Sequence, residues 1–247
     1  MLGKRAPAFV SSIVTAVNST PALRDCEPMS VISAAAIAAS IDLPINPSLG
    51  FAHIVPYRDK AQFQIGWKGF VQLAMRSGQY KTLNLTSVLA GQITRHNPFT
   101  GEMEFDSSIV SDEVVGYLLY FRLLNGYEKY FYMTREECLE HGKKYSASFK
   151  KGFGLWIENF DAMALKTVAK LGLSKYGILS IDMQKAVEMD QAEVTEDGEP
   201  RYVDSEKAQE KNAAASLNDK IKKSRVKKEE LPAPVAPAPT TPPEDHF

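Results

Sequence analysis

The spacing of apolar residues changes along this chain, and each change marks an element. Residues 4–17 place Phe9, Val10, Ile13, Val14 and Val17 at helical spacing. A second helix is expected from Pro28 through MSVISAAAIAASIDL, with proline in its first turn and Pro44 and Pro47 ending it. FAHIVPY and KAQFQIG then alternate as two strands around Arg58-Asp59, a hairpin without a favoured turn pair. Phe70, Leu73 and Ala74 continue into a helix that stops near Gly78, and residues 80–89 alternate as a strand.

A second hairpin is expected in GQITRHNPFTGEMEFD, turning near residues 97–101. VVGYLLYFRLL and YEKYFYMT flank Asn125-Gly126, the favoured pair for a type I′ turn. The first of these strands is apolar on both faces, which predicts a central place in its sheet. Thr134 and Glu137 have capping-box spacing and open a short helix to about His141. After the basic loop KKYSASFKKGFG, the run NFDAMALKTVAKLGLSKYG reads as a helix. Met163, Val168 and Leu171 face its core, and Lys166 and Lys170 share the opposite side. The fold class is therefore α+β, a small antiparallel sheet of hairpins packed with helices.

Patterning fails after Val187. Residues 188–247 combine an acidic stretch, the basic block KIKKSRVKK and the proline-rich tract LPAPVAPAPTTPP, which predicts a disordered tail with a transient helix over 206–223. The expected division is a folded body, 1–187, and a tail, 188–247. Charge divides at the same point. The body holds 20 Lys and Arg against 16 Asp and Glu, and the tail 9 against 14, so the net −1 conceals a basic body. That sign is compatible with a polyanionic partner.

Cys26 and Cys138 form no CxxC pair, which argues against a disulfide framework or zinc cluster and for a reducing compartment. No apolar run approaches twenty residues and no charged-then-apolar leader opens the chain, so a soluble cytoplasmic protein without membrane contact is expected.

Chemistry-bearing motifs are few. The chain has neither GxxxxGK[ST] nor GxGxxG, which excludes a nucleotide-driven motor. Gly66-Trp67-Lys68-Gly69 has the GxxG form that clamps nucleotide backbones, but the same four residues also suit a plain strand-to-helix turn. Glu102, Glu104 and Asp106 alternate along a strand, and three carboxylates on one face suit a divalent metal for phosphodiester cleavage. The same row also suits a solvated edge that discourages aggregation. Between Lys143 and Tyr176, the cations Lys143, Lys144, Lys150, Lys151, Lys166, Lys170 and Lys175 interleave with aromatic residues. Cations for phosphates plus rings for bases make up a sequence-independent single-strand site.

Three blocks, MSVISAAAIAASIDLPINPSLGFAHIVPY, KAQFQIGWKGFVQLAMRSGQYK and FDAMALKTVAKLGLSKYGILSIDMQKAV, resemble the RecT family of phage and prophage recombinases. The resemblance spans residues 2–187. It implies a Rad52-like annealing core that assembles as a homo-oligomer, in rings or helical filaments. It implies binding of single-stranded DNA and of the annealed duplex intermediate, and pairing of strands without ATP or covalent catalysis. No cofactor is required, and Mg²⁺ modulates binding through the DNA. A 5′→3′ exonuclease and a host single-strand-binding protein are the implied partners. Matched by segment, the expected DNA contacts are Lys60, Gln62, Gln64, Trp67, Lys68, Arg76, Lys166, Lys170 and Lys175. Family members usually carry a few dozen residues ahead of the LGKRAP segment, an extension that is not expected here. Two readings rival annealing: a coating protein that does not pair strands, and a nuclease built on Glu102, Glu104 and Asp106.

Overall fold

A computed structural model describes residues 6–194 and 200–202. Its centre is a three-stranded antiparallel sheet in the order β3 (Tyr80–Leu89), β6 (Val114–Leu123), β7 (Glu128–Thr134). The α+β expectation holds, and the doubly apolar strand is the central one. Tyr117, Leu119, Phe121 and Leu123 of β6 are buried on the inner face within the main core, while Leu118 joins Val88 and Met103 in a smaller core on the outer face. The outer cover is the hairpin of β4 (Ile93–His96) and β5 (Met103–Phe105).

Helix α7 (Phe160–Tyr176) lies across the inner face. Contact is closest at Gly172, where a β-carbon would come within 2.6 Å of Leu119 and 2.9 Å of Phe131. Ala164, Val168, Ala169 and Leu173 are fully buried around that contact. Before the sheet come α1 (Ala6–Ser19) and α2 (Pro28–Ser40), then the hairpin β1 (Ala52–Tyr57) and β2 (Lys60–Ile65), then α3 (Trp67–Arg76). Pro28 occupies the first turn of α2 as expected, and Ala34, Ala35 and Ala38 bury the side that meets β2. In α1 only one side of the expected stripe packs: Phe9, Ile13 and Val17 meet the core, whereas Val10 and Val14 are exposed.

Thr134 and Glu137 form the capping box of α4 (Arg135–Tyr145), which continues one turn beyond the expected end. The basic loop then contains two single-turn helices, α5 (Ala147–Lys150) and α6 (Leu155–Glu158).

Three expectations are corrected. The β6–β7 connection is a three-residue loop, not a type I′ turn. Gly126 N–H donates to the Leu123 carbonyl, Leu123 N–H donates to the Tyr127 carbonyl, and Gly126 has φ +90° while Asn125 is not left-handed. This is a type I turn followed by a glycine bulge. The solvated side expected for Lys166 is buried, because α7 is covered on a second side as well. Structure also continues past Val187. Helix α8 (Ile181–Met189) ends at a buried Asp190, and β8 (Ala192–Val194) pairs with β9 (Pro200–Tyr202). The segment after α8 is anchored to β2, since Gln191 N–H donates to the Phe63 carbonyl. The basic block, the proline-rich tract and the transient helix expected at 206–223 lie outside the described residues.

Candidate nucleic-acid interface

The site is built around the turn from β2 into α3. In the β1–β2 register, Ala52, Ile54, Ala61, Phe63 and Ile65 bury one face. Opposite residues share a face, so His53 with Gln64, Val55 with Gln62 and Tyr57 with Lys60 form the other. Arg58 takes a left-handed φ of 56° to close the two-residue turn, and its guanidinium lies 5.3 Å from the Tyr57 ring centre.

Both glycines of Gly66-Trp67-Lys68-Gly69 are demanded by close backbone approach. A β-carbon on Gly66 would collide with the Gly50 carbonyl, and one on Gly69 with the Phe51 carbonyl. Gly66 N–H donates to Phe51 at 2.9 Å, which holds the turn against the start of β1. The glycines therefore have a packing reason, and between them Trp67 and Lys68 begin α3. Lys68 is exposed, with its ammonium 5.7 Å from the Trp67 ring centre.

Beside this turn lies an ion network that sequence reading did not assemble. The Asp190 carboxylate accepts from Lys166 Nζ at 2.8 Å, Lys170 Nζ at 2.8 Å and the Ile65 N–H at 3.1 Å. Asp190 is 1% exposed, Lys166 8% and Lys170 27%, so the network is closed at Lys166 and reaches solvent at Lys170. Burial works against the Asp190 carboxylate, but the two ammonium groups outweigh it and hold its pKa below the ordinary carboxylate value. Burial lowers the pKa of His53, helped by Lys166. Burial also lowers that of His141, helped by Lys170 and Lys144.

The nine expected contacts therefore do not share one surface. Trp67 and Lys68 stand together, and Gln64 is half-buried opposite His53. Lys60 sits at the hairpin turn and Lys175 is exposed at the end of α7, 5.3 Å from the Tyr176 ring centre. Gln62 and Lys166 are interior, 4% and 6% exposed, and so are withdrawn from direct contact. The Arg76 guanidinium donates to the Ile41 and Asp42 carbonyls at 2.9 and 2.6 Å, tying α3 to the end of α2.

In the basic loop, Trp156 is buried and Phe160 lies under the Arg135 guanidinium at 4.5 Å, whereas Tyr145, Phe153, Lys150 and Lys151 are exposed. Tyr117 O–H donates to Asp161, and Arg135 donates to both, at 3.1 and 3.3 Å.

The carboxylate row does not converge. Glu104 pairs with Arg95 at 3.1 Å, Glu102 accepts from Thr100, and Asp106 accepts from Ser108. Among the described residues, no group of three or more His, Cys, Asp or Glu is placed to hold a metal ion. Cys26 and Cys138 are both free and buried, and burial pushes the Cys138 thiol up to about 12. No helix among the described residues is long and apolar enough to cross a membrane.

A model of the RecT family matches residues 7–205. The chain is similar to the protein YqaK of Bacillus subtilis, with 52% identity over 188 residues, and covers 76% of its own length but 65% of that relative's. It is also similar to protein RecT of Escherichia coli, with 29% identity over 203 residues, 76% of this chain and 72% of that protein.

Proposed function

The chain belongs to the RecT family, and from that membership we propose that it binds single-stranded DNA and anneals complementary strands in phage-type recombination. In this reading it acts as a homo-oligomer, hydrolyses no ATP and makes no covalent intermediate. A 5′→3′ exonuclease supplies its substrate strand, and a host single-strand-binding protein is a further partner. The observation that carries the reading is the family match, which extends across the folded body, including α3, α7 and Asp190.

The chemistry of the surface supports it. Lys68 and Trp67 offer a cation and a ring on a rigid helix start, and Lys60, Gln64, Lys170 and Lys175 extend the polar and cationic contacts. Such contacts grip backbone and base faces and leave pairing edges free, which annealing requires. The absence of a phosphate-binding loop from the sequence agrees with pairing driven by binding energy alone.

Affinity for a single strand, measured against salt concentration, tests the reading. The logarithm of affinity is expected to fall linearly with the logarithm of salt, by about 0.7 per phosphate neutralised. Lys68→Ala should reduce that slope by about 0.7. Trp67→Ala should cost about 1–3 kcal/mol of affinity with the slope unchanged, because stacking releases no counterion. An affinity indifferent to salt would sink the proposal.

A further inference from the structure

Two surface features outside the DNA contacts have complementary form. The first is a knob. Phe99, at the tip of the β4–β5 hairpin, is 97% exposed. The turn that presents it is ordered: the Asn97 side-chain oxygen accepts from the Phe99 and Thr100 N–H groups, and Gly101, at φ +75°, donates to the Asn97 carbonyl. An aromatic ring held rigidly in water gains nothing within its own subunit.

The second is a hole. An open cavity of roughly 370 Å³ lies between α4 and α6, lined by Arg135, Leu139, Phe149, Trp156, Ile157 and Phe160. The Arg135 guanidinium is fixed by Tyr117, Asp161 and the Phe160 ring, and Gly142 lets the Trp156 ring lie against α4. Ile157 is half-exposed at the mouth, with Leu155 and Phe153 beside it in sequence, also exposed. The walls are therefore aromatic and largely pre-formed, as apolar ligand sites are.

Charge selects the occupant. Residues 91–113 carry five carboxylates, Glu102, Glu104, Asp106, Asp112 and Glu113, against the single cation Arg95. Residues 135–151, which supply much of the cavity wall, carry five cations against three carboxylates. An acidic hairpin is repelled by a phosphate backbone, so its exposed ring does not serve as a wedge between bases. It is attracted to a basic aromatic hole. We propose that Phe99 of one copy seats in the Phe149–Trp156–Phe160 cavity of the next, a head-to-tail contact between copies of this chain. Knob and hole are different surfaces, so each contact leaves one of each free. The assembly then grows as a ring or an open filament, according to the rotation per step. The contact supplies the assembly that the annealing reading requires and rests on that reading only for its purpose.

Mixing two variants tests it. Phe99→Ser removes the knob, and Ile157→Glu blocks the mouth of the hole with a charge that repels the hairpin. Both positions are exposed, so folding is expected to persist, and circular dichroism checks it. Self-association is measured by sedimentation, without DNA and on a long single strand. Each variant alone should associate roughly ten- to thirty-fold more weakly than wild type, as for loss of an interface hot spot. An equimolar mixture should form dimers and nothing larger, because only one knob and one hole remain in each pair. Wild-type protein that stays monomeric in both conditions, Phe99→Ser protein that assembles like wild type, or a mixture that remains monomeric would overturn the proposal. So would a Phe99→Ser protein that assembles normally but binds DNA more weakly, which would make Phe99 a DNA contact. Assembly is read separately from DNA affinity, so this contact and the annealing function can fail independently.

Discussion

Replacing Asp190 by Asn is expected to destabilise the fold by about 3–5 kcal/mol, the usual cost of leaving buried charge unpaired. The carboxylate answers two ammonium groups and one backbone N–H from an almost water-free position. An amide keeps its size but not its charge, and its NH₂ group would face an ammonium, donor against donor. Lys166 would then be interior without a counter-charge. The midpoint and slope of urea unfolding measure the loss. Lys166→Met in the Asp190→Asn background should recover part of it, since it removes one uncompensated charge, and that non-additivity identifies the pair as coupled. The pH dependence has a definite sign. The folded-state pKa of Asp190 is depressed, so its contribution is complete above the ordinary carboxylate pKa and is lost as pH falls through the folded value. A single variant within about 1 kcal/mol of wild type would refute the account of this network.

Gly66→Ala should be nearly as damaging, at about 3 kcal/mol or more, because the obstruction is backbone. The added carbon meets the Gly50 carbonyl, and the Gly66–Phe51 hydrogen bond prevents the two segments from parting. Gly69→Ala meets the Phe51 carbonyl and the Ile65 side chain at 2.6 Å, so the motif is intolerant at both ends. Gly78 provides the contrast. Nothing lies within 4 Å of a β-carbon there, and only its φ of +68° opposes substitution, so Gly78→Ala should cost about 1 kcal/mol. Thermal unfolding of the three variants ranks them. Equal losses at positions 66 and 78 would show that close packing is not the reason for the first glycine.

Much of the fold was legible because it obeys local rules. Strand β3 has the bounds its alternation predicts, β6 is central because both its faces are apolar, and the capping box starts α4 where Thr134 and Glu137 place it. Asn125-Gly126 signalled a hairpin correctly but not its type, since glycine in the left-handed region serves a two-residue turn and a three-residue bulge alike. The ion network was not legible. Asp190 lies in an acidic stretch without apolar period, and its partners Lys166 and Ile65 are 24 and 125 residues away. Lys166 and Lys170 looked like a solvated stripe because a helix packed on two sides has no single apolar face to reveal it. Arg76 looked like a free cation because the carbonyls it holds belong to every residue and leave no trace in a sequence. At Trp67 and Lys68 the reading survives best, where flanking glycines mark the turn that presents them.

Strand annealing tests the central claim most directly. Protein is added to one of two complementary oligonucleotides, one labelled with a fluorophore and the other with a quencher, without ATP, before the second is mixed in. Pairing faster than the protein-free control, with wild-type affinity for the single strand, is the predicted result. Tight binding with no acceleration of pairing would contradict it and leave the chain as a protein that coats DNA without annealing it.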